Sequence, residues 1–163
     1  VQTLFETMSH IDFRRLAAGI HGTEVTSTVT DPLTNEVLTG RFSRPSIVAP
    51  SITVDLVVIE NEFAGRAAAT ANVIDYIGGQ TPSGGQVVGL TLGEDIYVDR
   101  IDTAVTATSG VRGATSITID NTGDGTDDTQ TDANGLAYLS IADTEVAFVE
   151  PTDITINTTT ITE

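Results

Sequence analysis

Hydrophobic positions along this chain follow two periods. Over residues 52–59 the order Ile-Thr-Val-Asp-Leu-Val-Val-Ile begins in strict alternation and ends continuously apolar. That pattern predicts a strand with one buried face that becomes buried on both. Over 63–77 the chain is Ala-rich, and Phe63, Ala67, Ala71, Ile74 and Ile77 recur at helical spacing. A helix is expected there, with Asn61 as N-cap, Glu62 in the first turn and Gly78-Gly79 as its stop. Alanines on that stripe would let the helix approach a sheet closely. Thr81-Pro82-Ser83-Gly84-Gly85 reads as a turn, and 87–92 as a short strand. A second helix is expected over 94–105, with Val98, Ile101 and Val105 on one face. Gly110-Val111-Arg112-Gly113 reads as a loop before a strand at 116–119. Further short strands follow near 136–141, 145–149 and 154–157, and the Thr-rich tail 158–163 is expected to fray.

The first part of the chain reads differently. Leu4, Phe5, Met8, Ile11, Phe13 and Leu16 suit one helix or two short ones, ended by Gly19 and Gly22. Val25 and Val29 alternate with Thr and Ser ahead of Asp31-Pro32-Leu33-Thr34-Asn35, and a return strand runs through 37–42, which together spell a hairpin. Pro45 and Pro50 mark a boundary. The expected organisation is a small helix plus β-hairpin lobe over 1–46 and a second domain over 47–163. The expected class is α+β: a small N-terminal helix-hairpin lobe followed by a strand-helix-strand-helix-strand unit with C-terminal β-hairpins.

Composition narrows the function. The chain has 163 residues, 39% hydrophobic but only 5% aromatic, so Ala, Val, Ile and Leu carry a lean core. The absence of Cys excludes disulfides, thiolate nucleophiles and zinc-thiolate sites. No apolar run approaches the roughly 18 residues that cross a bilayer, and no secretory signal is visible. A net charge of −16 disfavours nucleic acid and anionic membrane surfaces, because both recruit Lys and Arg. All seven basic residues are Arg (Arg14, Arg15, Arg41, Arg44, Arg66, Arg100 and Arg112), against 23 carboxylates spread along the chain. At low salt such charge opposes compaction, and multimolar salt screens it. This is the composition expected of a protein from a halophile or a virus infecting one, favoured over an ordinary acidic protein without Lys because the charge is spread along the chain.

Candidate chemistry is sparse. His10 and His21 are the only histidines, and neither stands in a catalytic spacing. No GxSxG, Walker loop, GxGxxG or HExxH occurs. Gly84-Gly85 lacks a following Lys-Ser/Thr and precedes a strand, so it makes no phosphate cradle. The pairs Glu94–Asp95 and Asp99–Asp102 read as solubilising surface charge. The most site-like stretch is Asp120-Asn121-Thr122-Gly123-Asp124-Gly125-Thr126-Asp127-Asp128. Carboxylate and amide oxygens around glycine turns are the ingredients of a calcium loop. Aligned to an EF-hand, however, the bidentate acid position falls on Thr131, so a solvated loop is the favoured reading. No catalytic, cofactor-binding or metal-binding residue is nominated, no cofactor is expected, and the chain is expected not to be an enzyme.

From Ser46 onward the order of features carries a resemblance. The strand through Ile52–Ile59 feeds the Ala-rich helix ending Ile74-Asp75-Tyr76-Ile77, then Gly78-Gly79-Gln80-Thr81-Pro82-Ser83-Gly84-Gly85-Gln86-Val87-Val88. The second helix, Ser109-Gly110-Val111-Arg112-Gly113 before a strand, and a closing Glu145-Val146-Ala147-Phe148 complete it. Asp12-Phe13-Arg14-Arg15-Leu16-Ala17 ahead of Gly19-Ile20-His21-Gly22-Thr23-Glu24-Val25 adds to it. This order resembles the C-terminal part of the J-like baseplate wedge proteins of contractile phage tails and related injection systems. The N-terminal part of that family is missing, and the 120–132 loop is longer and more acidic than its pattern. The resemblance implies a virion subunit in a tail baseplate, a wedge or ring component. Its partners would be other copies of itself and neighbouring tail proteins, it would form a homo-oligomer within the assembly, and it would transmit a shape change without cofactor or turnover. The alternative is a secreted or virion-surface adhesin-like binding module using the acidic loop for calcium.

Overall fold

The computed structural model of the chain describes residues 23–30 and 35–162. The expected helix over 1–18 and most of the 31–35 turn lie outside them. The chain divides into two compact units, Val1–Ser46 and Ile47–Glu163. In the first unit β1 (Thr23–Thr30) pairs antiparallel with β2 (Val37–Arg44), from Thr23 opposite Arg44 to Thr30 opposite Val37. Thr and Val dominate β1, and β-branched residues suit a pleated ribbon.

The second unit is mixed α and β, so the class is α+β. Its centre is a three-stranded sheet in the order β12-β4-β8. The middle strand, β4 (Ser51–Ile59), turns Ile52, Val54, Leu56 and Val58 into the core. It pairs antiparallel with β8 (Val111–Asp120) and parallel with β12 (Ile154–Ile161). Helices α1 (Arg66–Ile77) and α2 (Val98–Thr106) pack on each other and on this sheet, α1 against β12 and α2 against β8. Ala69, Val73, Ile74 and Ile77 of α1 and Ile101 and Val105 of α2 meet the sheet's apolar face in one cluster. Small strands decorate that frame. β5 (Gly79–Gln80) pairs with β6 (Gln86–Val87), β7 (Ile96–Tyr97) and β9 (Gln130–Thr131) flank β10 (Ala137–Leu139), and β11 (Glu145–Ala147) pairs with β3 (Ser46–Val48).

Several expectations need correction. Helix α1 starts at Arg66, not at 63, and Asn61 does not cap it. Residues 59–63 instead form a turn in which the Phe63 amide donates to the Ile59 carbonyl. Gly65, at φ 102°, occupies the cap position without a side-chain bond. The buried face is Ala69, Thr70, Val73, Ile74 and Ile77, while Ala67 is exposed. An alanine-rich segment offers several equivalent stripes, and the large side chains Val73, Ile74 and Ile77 decide which one is buried, because they hide the most apolar area. The strand expected over 87–92 shrinks to Gln86–Val87, since the Leu90 amide turns back to the Ile77 carbonyl. Helix α2 begins at Val98, not at 94. Glu94 closes a turn instead, accepting the Thr91 amide at 2.9 Å.

Two changes lengthen strands. β8 begins at Val111, inside the expected loop, and Gly113 sits opposite Val57 where the register shifts. β12 runs to Ile161, so residues 158–161, expected to fray, pair with 56–59 of β4. The C-terminal strands also pair differently from the expected hairpins. Only β9 and β10 are antiparallel neighbours joined by a turn, whereas β11 joins β3 and β12 lies parallel to β4.

Candidate functional site

The acidic loop is built outward from the end of β8. Asp120 closes that strand, and its Oδ1 accepts the Gly123 amide at 2.6 Å while Oδ2 accepts the Gly125 amide at 2.9 Å. Gly123 and Gly125 both stand in the left-handed region, at φ 76° and 83°, which lets the chain wrap this carboxylate. Asp128 Oδ2 takes the amides of Asn121 and Thr122 at 2.8 and 2.9 Å. Asp124 Oδ1 takes the Thr126 amide at 2.8 Å and its hydroxyl at 2.6 Å. Asp127 Oδ1 returns to the Ile119 amide at 3.1 Å, and Asp132 accepts the amides of Asn134 and Leu136.

At Asp120, Asp124 and Asp132 these bonds favour the ionised carboxylate. The Gly125 amide holds Asp120 below the usual carboxylate range, the Thr126 hydroxyl does the same for Asp124, and the Leu136 amide for Asp132. The loop is therefore folded by its own carboxylates, whose oxygens are spent on backbone amides. Among the described residues no group of three or more His, Asp or Glu converges as a metal site would require. Thr131, at the bidentate acid position of the calcium alignment, lies in β9 opposite Ala137.

The remaining sequence candidates do not come together. His10 and His21 lie outside the described residues. Asp95 accepts the Ile141 amide at 2.8 Å and so anchors a neighbouring loop. Asp99 and Asp102 are exposed on α2. Gly84 and Gly85 complete a tight turn in which the Thr81 amide donates to the Gly85 carbonyl at 2.8 Å. Among the arginines, Arg66 donates to the Thr158 hydroxyl at 3.2 Å and Arg100 lines a cleft.

That cleft, about 550 Å³, opens between the end of α1 and the start of α2 and is lined by Tyr76, Val88, Glu94, Tyr97 and Arg100 among others. The Tyr76 hydroxyl accepts the Tyr97 amide at 3.0 Å, and the Tyr97 ring stacks on Tyr138 with centroids 5.5 Å apart. Burial pushes the Tyr76 hydroxyl up, against the lowering effect of the Tyr97 bond. With its hydroxyl engaged in tying two elements together, Tyr76 braces the fold. A smaller apolar cleft of about 220 Å³ lies between Ile77, Val87 and Phe148. Nothing in the sequence pattern pointed to either tyrosine, because the Tyr76–Tyr97 bond joins residues 21 positions apart through a backbone group.

No family model and no curated protein matches this chain. Among the described residues no helix is long and apolar enough to cross a membrane.

Proposed function

We propose that the chain is a structural subunit of a viral tail baseplate, a wedge or ring component that assembles through protein–protein contacts in high salt. The observation that carries this reading is the order of features after residue 46: strand, Ala-rich helix, glycine turn, second helix, a Gly-Val loop leading into a strand, and a closing Glu-Val strand. That order is the one on which the resemblance to J-like baseplate wedge proteins rests. The finer architecture, a baseplate-type domain over 47–163 behind a helix-hairpin lobe over 1–46, belongs to the same proposal. Two further facts support it. The carboxylates of the 120–132 loop brace that loop, and Asp95 anchors a neighbouring one, which suits a scaffold. The Lys-free acidity suits a virus of a halophile. On this reading the subunit binds other copies of itself and neighbouring tail proteins, works in the virion, and does so without turnover or cofactor.

Immunogold labelling of virus or injection particles, imaged by electron microscopy in high salt with an antibody to this chain, tests it. Gold at the distal tip of a tail is the expected result. Gold on a capsid or cell envelope, or absent from particles, would remove the reading and bring the adhesin-like module forward.

A further inference from the structure

The sheet β12-β4-β8 ends in two edges that differ sharply. Exposed edges offer unpaired amides and carbonyls to any passing strand, and proteins blunt them with bulges, charges, prolines or short length. The β8 edge is blunted: its register against β4 shifts twice, and it carries Arg112 and Gly113. The β12 edge has none of these devices. It runs eight residues, Ile-Thr-Ile-Asn-Thr-Thr-Thr-Ile, in continuous register with β4, without bulge, proline or charge. Seven of the eight are β-branched, the residue type that strand pairing favours. Among the described residues no strand pairs with its outer side.

Strand geometry identifies which groups are on offer. The Ile161 carbonyl accepts the Glu60 amide, so Ile161 faces β4. Successive residues of a strand direct their backbone groups to opposite sides. Thr155, Asn157 and Thr159 therefore bond β4, while Ile154, Ile156, Thr158 and Thr160 turn amide and carbonyl outward.

We infer that β12 is the seam along which two copies of this chain join, antiparallel about a two-fold axis at Thr158, to make one six-stranded sheet. This rests on the self-assembly part of the proposed function and names its surface. The uncharged strand permits a second copy as the occupant, and its self-complementary register selects one. A chain of net charge −16 repels its own kind, so copies can meet closely only along a neutral seam, and 154–162 carries no charge. The strand is also complementary to itself. With the axis at Thr158 every outward residue meets an outward residue: Thr158 its own copy, Ile156 facing Thr160, and Ile154 facing Thr162. Between them Asn157 faces Thr159, so no two strand residues of like charge are opposed in the seam, and the charge nearest the axis is Arg66 of each copy, which donates to its own Thr158 hydroxyl. The interface is isologous, as a closed dimer requires.

Light scattering of the purified chain in multimolar KCl should give a dimer. Thr160→Pro removes one outward amide per copy and leaves the β4 side intact, the position at which an edge strand tolerates proline. It should raise the dimer dissociation constant roughly tenfold or more, for two lost hydrogen bonds per dimer, with the circular dichroism spectrum unchanged. Because the chain lacks Cys, Thr158→Cys adds a single thiol. The axis brings the two copies of that residue to about 5.5 Å between Cα atoms, within disulfide reach. Mild oxidation should cross-link Thr158→Cys and spare Val88→Cys, at a residue 95% exposed. A monomeric wild type, a folded Thr160→Pro that stays dimeric, or cross-linking at 88 and not at 158 would each overturn the inference. Should Thr160→Pro not fold, the cysteine pair decides alone. A dimer whose antibody labels no tail would leave this seam standing and remove the baseplate reading; a labelled tail with a monomeric chain would do the reverse.

Discussion

Gly79 shows how much a single backbone position can decide. It stands at φ 154° just after α1, bridged in parallel to Val149, with the Gln80 amide on the Val149 carbonyl at 3.0 Å. A Cβ at this position would collide with that carbonyl oxygen. Gly79→Ala should therefore cost at least about 1–3 kcal/mol from backbone strain alone. Denaturant unfolding in high salt measures it, and a loss below about 0.5 kcal/mol would refute the account. Asp120 carries a second prediction, on pH. Its carboxyl is held below the usual range in the folded loop, so it contributes stability above the unfolded value near about 4 and loses it as pH falls through the lower folded value. The amide proton shifts of Gly123 and Gly125 should move together with a midpoint below about 4, and in Asp120→Asn that titration should vanish. Amides that titrate independently of each other would separate Asp120 from the loop's fold.

The two faces of α1 make a sharper prediction, because spacing alone put Ala67 and Ile74 on the same stripe. Ile74 is fully buried and Ala67 is exposed. Ile74→Ala should cost about 2–5 kcal/mol, whereas Ala67→Ser should stay within about 0.5 kcal/mol. Equal costs in thermal or denaturant unfolding would restore the stripe drawn from spacing. The contrast also explains what the sequence could reveal. Strand β4 and the existence of both helices were legible, since their apolar residues keep a regular period and α1 stops at a glycine, Gly78. The start of α1 was not, because Asn61 has cap chemistry while its neighbours close a turn onto Ile59 and Ser109. The strand status of residues 158–161 was not legible either. A Thr-rich tail becomes a strand only when β4 lies beside it, and that pairing spans about a hundred residues of chain. The acidic loop was found by composition alone. That its carboxylates bond amides within the loop follows from the left-handed turns at Gly123 and Gly125, which composition does not reveal.

For the molecule as a whole, charge is the term that solution conditions can change most. A net −16 on 163 residues sets the folded chain against itself more strongly than the expanded one, since folding brings the carboxylates closer. Salt should therefore stabilise the fold, and the shape of the dependence identifies the cause. Screening acts early: the Debye length is about 10 Å at 0.1 M and already about 3 Å at 1 M, so relief of repulsion is nearly complete by then. Exclusion of a kosmotropic salt from apolar surface keeps growing with concentration instead. The unfolding midpoint in KCl should thus rise steeply to about 1 M and flatten beyond it. Sodium sulfate should add a further slope that does not flatten. Lowering the pH towards 4 protonates part of the carboxylates and should shrink the steep KCl phase while leaving the sulfate slope in place. A midpoint that ignores KCl from 0.1 to 3 M would show that the carboxylates are neutralised within the fold, and the reading of this chain as one made for brine would fall with it.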